Sequence, residues 1–215
     1  MAIVTGAGKG IGREIAMALG SRGASVVVNN RSRAGADPAS DVVAEIKRAG
    51  GVAVAERSSV EAPGAADALV TAALDNFGRL DHVVVNAAIV DRATFANADS
   101  DRFRHVIEID FMAPVALARA ALAEVQKRSG RFLFMTSTAG AYGEFGASSY
   151  AAAKGALNAF AKTLALEHAS DGVKVNLLSP YALTQMTEGF VTDEQAQALS
   201  PVRVVPAAIW LLGPD

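Results

Sequence analysis

The chain contains no cysteine, which excludes disulfides, a thiol nucleophile and any thiolate metal site. Its three histidines, His82, His105 and His168, are scattered along 215 residues, so no histidine-built metal centre is expected. Neither charge dominates: 20 lysines and arginines face 22 acidic residues, a formal net charge of −2. That balance gives no electrostatic basis for a nucleic-acid or anionic-membrane partner. No apolar run approaches the length of a membrane span. The N-terminus enters Ile3-Val4-Thr5-Gly6 directly, which leaves no room for a signal peptide. The expectation is a soluble, cytoplasmic protein. With 51% hydrophobic residues, residues 1–215 suffice for one domain with a substantial core.

Short β-rich runs alternate with longer helical patterns. Strands are expected at Ile3–Thr5, Ala24–Asn30, Val52–Glu56, Asp81–Ala87, Phe132–Thr136 and Val173–Leu178. Helices are expected at about 11–22, 39–49, 64–77, 101–127 and from Tyr150 to about Ser170. This alternation predicts an α/β fold, a doubly wound parallel sheet of Rossmann type flanked by helices in three α/β/α layers. Open sheets of this kind bind ligands beyond the carboxyl ends of their strands.

Between the first strand and first helix lies Thr5-Gly6-Ala7-Gly8-Lys9-Gly10-Ile11-Gly12. A bare strand-to-helix turn needs fewer than four glycines in seven positions. Glycines allow a tight turn and close backbone approach, and a helix N-terminus offers amides to a diphosphate. At the very start of a β-α-β unit, the loop points to a dinucleotide. Where an NAD-type site presents an acidic residue, eighteen residues after Gly12, this chain has Asn30, followed by Arg31 and then Arg33. Asn30 removes a carboxylate that would repel a 2′-phosphate, Arg31 can pair with one, and Lys9 can approach it. NADP(H) is expected over NAD(H). The plainer reading is that both arginines solvate an exposed loop.

Tyr150-Ala-Ala-Ala-Lys154 puts a phenol and an ammonium one helical turn apart, on the same face. A free tyrosine has a pKa of about 10. A positive charge about 4 Å away contributes roughly 4 kcal/mol at an effective dielectric of about 20, which predicts a fall of roughly three pKa units. Tyr150 is then an acid/base near neutrality, and Ser137, thirteen residues earlier, is the hydroxyl that polarises a carbonyl. Taken alone, a Tyr/Lys pair at this spacing is more often a surface contact.

With these residues in place, the chain resembles the short-chain dehydrogenase/reductase family along essentially its whole length. The matching pieces are Thr5–Gly12, Asn86-Ala87-Ala88, Ser137, Tyr150-x-x-x-Lys154, and Asn176 with Pro180. The resemblance implies hydride transfer between NAD(P) and an alcohol/carbonyl pair by a homodimer or homotetramer. It implies Tyr150 as acid/base, Lys154 lowering its pKa and binding the nicotinamide ribose, and Ser137 holding the substrate oxygen. The implied cofactor site comprises Thr5, Gly6, Gly8, Lys9, Gly10, Ile11, Gly12, Asn30, Arg31, Asn86, Ala87, Ala88, Tyr150, Lys154 and Pro180. The segments 136–146 and 179–187 more loosely resemble the (3R)-hydroxyacyl-CoA dehydrogenase region of peroxisomal multifunctional enzymes. That likeness implies a 3-hydroxyacyl/3-oxoacyl thioester substrate and a pocket of Ser137, Tyr142, Tyr181 and Leu183.

Several positions depart from the family pattern. Asp110 occupies the place of an asparagine that helps hold a water linking the lysine to solvent. Its carboxylate either accepts from that water or pairs with Lys154 and weakens the pull on Tyr150. Ala88 stands where glycine is usual, Ser58 or Ser59 where an aspartate often contacts adenine, and Tyr181 where a glycine often follows the proline. Relatives also continue past Asp215 through a further strand and tail. Asp110, Ala88 and the short end motivate a second reading, a catalytically silent NADP(H)-binding sensor or partner protein. The intact Ser137, Tyr150 and Lys154 argue against it.

Overall fold

The computed structural model describes residues 1–32, 35–182 and 199–213. Six strands form one sheet: β1 (Ala2–Val4), β2 (Ser25–Asn29), β3 (Val52–Glu56), β4 (His82–Val85), β5 (Arg131–Met135) and β6 (Lys174–Leu178). Their order is β3-β2-β1-β4-β5-β6, and every pairing is parallel. The central register aligns Ile3 with Val27 on one side and Val83 on the other. The chain reverses direction across the sheet between β1 and β4, the switch point at which such sheets bind ligands.

The strands are apolar on both faces because both faces are covered. Val4, Val26, Val28, Val84 and Leu133 point into one core with Ile15, Ile46 and Ala208. These belong to α1 (Gly10–Ser21), α2 (Pro38–Arg48) and α8 (Val205–Leu212). The alternate residues Ile3, Val27, Val83, Val85, Phe132 and Phe134 enter a second core with Leu69, Leu117 and Leu157. These come from α3 (Ala65–Phe77), α5 (Ala113–Gln126) and α7 (Ser148–Glu167). The period-2 split between two cores is the three-layer arrangement the sequence implied.

The expected 101–127 helix is interrupted. The chain runs as α4 (Ser100–Ile107), one π turn (Glu108–Met112) and then α5. Pro114 has no amide hydrogen, so the Asp110 carbonyl loses its normal donor. The Ala113 amide reaches instead to the Glu108 carbonyl, five residues back. Two elements were not anticipated. A short helix α6 (Ala139–Tyr142) follows β5, and α8 packs its Ala208 and Leu212 into the first core. The Asn176 amide fixes α8 by donating to the Leu211 carbonyl at 3.0 Å. The helix bearing Tyr150 begins earlier than expected, at Ser148. Among the described residues no helix is long and apolar enough to cross a membrane.

At the opposite end of β4, burial pushes His82 down to about 4, reinforced by nearby positive charges and opposed by Asp81. Its Nδ1 has no hydrogen-bond partner. The unfolded chain therefore takes up this proton at higher pH than the folded one. The associated stability is complete above pH 6.5 and is lost as pH falls toward 4, up to about 3 kcal/mol. Urea unfolding across that interval should show the decline, and His82→Leu should flatten it. An unchanged slope in the variant would assign the decline to other groups.

Candidate active site

The carboxyl ends of β1, β2, β4, β5 and β6 form one rim, and the predicted residues lie along it. Thr5, at the end of β1, is buried. Its Oγ1 accepts from the amides of Asn86 (3.0 Å) and Ala87 (3.2 Å) beyond β4. The Asn86 side-chain amide donates in return to the carbonyls of Thr5 (2.9 Å) and Gly6 (3.2 Å). The glycine loop is thereby pressed against Asn86 and Ala87. Gly6 has a φ of +62°, and a Cβ there would lie 2.8 Å from Ala87 Cα. A Cβ on Gly12 would lie 2.5 Å from Asn86 Nδ2 and 2.6 Å from the Gly6 carbonyl oxygen. One on Gly8 would collide with Asn30 and Pro38.

The N-terminus of α1 has no side-chain cap and no acidic residue in its first turn. The Arg13 amide, 3.3 Å from the Lys9 carbonyl oxygen, makes the first helical bond. The preceding amides of Gly10, Ile11 and Gly12 lack helical partners, so a dinucleotide diphosphate fits this cradle.

On the β2 side, Asn29 is buried and donates to Glu56 (2.6 Å) and to the Ser58 carbonyl (3.0 Å). Glu56 also accepts from the Ser58 amide and hydroxyl, so its charge is committed within the fold. Asn30 is half-buried and donates to the Arg31 carbonyl at 3.1 Å. Burial works to raise the Glu61 carboxyl, but the Ser59 hydroxyl and the charges of Arg31 and His105 hold it below its usual range. Arg31 thus sits within electrostatic reach of Glu61. Arg33 and Leu183 lie outside the described residues.

Ser137, Tyr150, Lys154 and Asp110 come together where β5, α7 and the π turn meet. The Ser137 hydroxyl accepts from the Ala139 amide at 3.2 Å and lies beside the half-buried Tyr150 phenol. Close packing of α6 on α7 brings these groups into register. A Cβ on Gly140 would sit 2.5 Å from the Lys154 carbonyl carbon. Lys154 is only 3% exposed and Asp110 is fully buried. The Lys154 ammonium donates to the Met135 carbonyl at 3.1 Å, stands 3.4 Å from Asp110 Oδ2, and lies over the Tyr150 ring 5.6 Å from its centroid. Asp110 Oδ1 accepts the Ile89 amide at 2.8 Å. Burial holds the Asp110 carboxyl above its usual range, and Lys154 and the Ile89 amide only partly offset it.

This geometry corrects the expected titration of Tyr150. Burial raises the phenol to about 12; the Ser137 hydrogen bond opposes that, and the charge of Asp110 adds to it. The spacing argument placed the ammonium on the correct helix face. It did not foresee that a carboxylate and a carbonyl would hold that ammonium, or that desolvation of the phenolate would dominate.

The mouth of the site is closed on one side by elements that no spacing rule reveals. Arg92, after β4, pairs with Glu144, after α6. The Ala93 amide donates to the Gly146 carbonyl at 3.0 Å, and Ala93 bridges Ala147 in parallel. Both charges of the Arg92–Glu144 pair are felt at Tyr150. Opposite charge was their only sequence signal, across 52 residues. Tyr142 and Tyr181 are 88% and 79% exposed, and the neighbouring Phe145 is 90% exposed. They stand at the surface of the rim and form no enclosed wall. Pro180 is half-buried just beyond β6.

A model of the short chain dehydrogenase family matches residues 1–195. The chain belongs to the short-chain dehydrogenase/reductase family. It is similar to the peroxisomal multifunctional enzyme type 2 of Mus musculus, 38% identical over 97% of this chain and 29% of that protein. This chain therefore spans less than a third of that relative's length. It is also similar to a 3-oxoacyl-[acyl-carrier-protein] reductase of Synechocystis, 38% identical over 94% of this chain and 82% of the relative. A crystal structure of a short-chain dehydrogenase from Mycobacterium avium superposes with a TM-score of 0.88. It is 37% identical and covers 98% of this chain and 76% of its own. That family is one of oxidoreductases that use NAD(P).

The glycine contacts give a direct test of this site. Gly12→Ala puts a methyl group against Asn86 and the Gly6 carbonyl, so α1 must shift away from β4. A tenfold or greater loss of NADPH affinity is expected in a fluorescence titration, with a stability loss of about 1–3 kcal/mol. Retained affinity would show that the loop's packing against Asn86 does not shape the cofactor site.

Proposed function

We propose that this chain interconverts a secondary alcohol and a ketone, with NADP(H) preferred and 3-oxoacyl or 3-hydroxyacyl thioesters as substrates. One observation carries the reading. A serine hydroxyl lies beside a half-buried tyrosine phenol, with a buried ammonium over its ring, on the rim that also bears the uncapped glycine-loop helix. The similarity to the 3-oxoacyl-[acyl-carrier-protein] reductase of Synechocystis supports the thioester class.

In the reductive direction, Ser137 holds and polarises the carbonyl oxygen while Tyr150 delivers a proton to it. In the oxidative direction, Tyr150 takes the hydroxyl proton. Lys154 holds the ribose side of the cofactor and fixes the electrostatics beneath Tyr150. When bound, the nicotinamide supplies or accepts the hydride at the carbon bearing that oxygen. Thr5, Gly6, Gly8, Gly10, Ile11, Gly12, Asn86, Ala87, Ala88 and Pro180 hold the dinucleotide. Asn30, Arg31 and Lys9 favour a 2′-phosphate, and the commitment of Glu56 to Asn29 and Ser58 removes a competing carboxylate from that end. Tyr142 and Tyr181, exposed on the rim, face the incoming substrate. In this reading the chain works as a homodimer or homotetramer.

NADPH oxidation should be followed with a panel of simple ketones and 3-oxoacyl thioesters. Tyr150→Phe should lower kcat/KM by about 10²–10⁴-fold and leave NADPH binding intact. NADPH binding without turnover of any substrate would favour a silent sensor.

Arg31→Ala should weaken NADPH by about tenfold or more, the loss of one charge-assisted bond. NADH binding should not change. Equal affinity of the unaltered protein for both dinucleotides would overturn the preference.

A further inference from the structure

The π turn brings to the base of Tyr150 a carboxylate that the reaction does not itself require. Asp110 has no solvent exposure, and its two oxygens have separate partners. Oδ1 accepts the Ile89 amide at 2.8 Å, and Oδ2 faces the Lys154 ammonium at 3.4 Å. Oδ2 has no hydrogen-bond partner, so the ammonium answers it by charge alone. An amide donor on one oxygen and an ammonium facing the other favour the ionised form against the burial that raises this carboxyl. Lys154, in turn, donates to the Met135 carbonyl while its charge faces the Asp110 carboxylate. Its charge is therefore largely answered before it reaches the phenol. The other charges facing Tyr150 are Glu144 and Arg92 across the mouth, and these neutralise one another as a pair.

We propose that Asp110 is a positioning residue that ties Lys154 into a buried ion pair and so keeps Tyr150 in its proton-donating form. The site is then set for carbonyl reduction at neutral pH and oxidises alcohols efficiently only in alkaline solution. This rests on the reading of Tyr150 as the acid/base. It gives that reading a preferred direction, set by a side chain that need not touch the substrate. The direction of the Tyr150 shift agrees, with burial as the main cause and Asp110 adding to it.

Asp110→Asn tests the proposal, because the amide oxygen can still accept from Ile89 while the negative charge is gone. The pH profile of alcohol oxidation should move down by about one pH unit, because a negative charge near the phenol has been removed. At saturating substrate, kcat for oxidation at neutral pH should rise by up to about tenfold as the phenolate fraction grows. A lower rate with an unmoved pH midpoint would reduce Asp110 to a packing role and overturn the proposal.

A second readout needs no turnover. The chain has three tyrosines, so Tyr142→Phe with Tyr181→Phe leaves Tyr150 as the sole reporter of tyrosinate absorbance. In that background Asp110→Asn should lower the ionisation midpoint. An equal or higher midpoint overturns the proposal whether or not a substrate has been found. Failure of every substrate, with the midpoint lowered as expected, would instead count against the oxidoreductase reading alone.

Discussion

The ammonium of Lys154 is the constraint around which the site is arranged. A lysine only 3% exposed must find acceptors inside the protein, because an unanswered buried charge costs several kcal/mol. It finds them in the last carbonyl of β5 and in Asp110 from the π turn. These contacts join the sheet, α7 and the α4–α5 segment beneath Tyr150. Removing one partner of such a pair typically costs about 3–5 kcal/mol, so the charge that tunes the tyrosine also ties the site to the fold.

The π turn is what makes the carboxylate available. Proline at position 114 breaks the α-helical bonding one turn before α5, and the wider turn takes up the slack between Glu108 and Ala113. Asp110 is fully buried at that break, and its carbonyl is the one deprived of a donor. A local rule about proline and a tertiary contact to Lys154 therefore meet in one residue. Such conjunctions are common where helices depart from regular hydrogen bonding near functional sites.

Much of this was legible in the sequence, for identifiable reasons. The valine and isoleucine runs read as strands because a parallel sheet is buried on both faces. Tyr150-x-x-x-Lys154 read as one face because helical spacing is fixed by the backbone. The glycine loop was legible because Gly6, Gly8 and Gly12 each answer a close approach, such as that of Gly12 to Asn86. The pairing of Lys154 with Asp110 was one of two alternatives open in the sequence, whereas the Met135 carbonyl as its acceptor was not legible, because it is backbone and distant in sequence. Nor was the sign of the Tyr150 shift, since desolvation depends on packing that spacing does not encode. Helix α8 escaped notice because its apolar octapeptide has too few polar positions to show a helical period.

The most direct measurement is the titration of the Asp110 side-chain carboxyl by carbon NMR, in the unaltered protein and in Lys154→Met. If the two groups form a buried ion pair, removing the ammonium leaves burial unopposed and the Asp110 midpoint moves to higher pH. A midpoint that does not move would show that Asp110 and Lys154 are neighbours without being electrostatic partners, and the account of Tyr150 built on their pairing would fail.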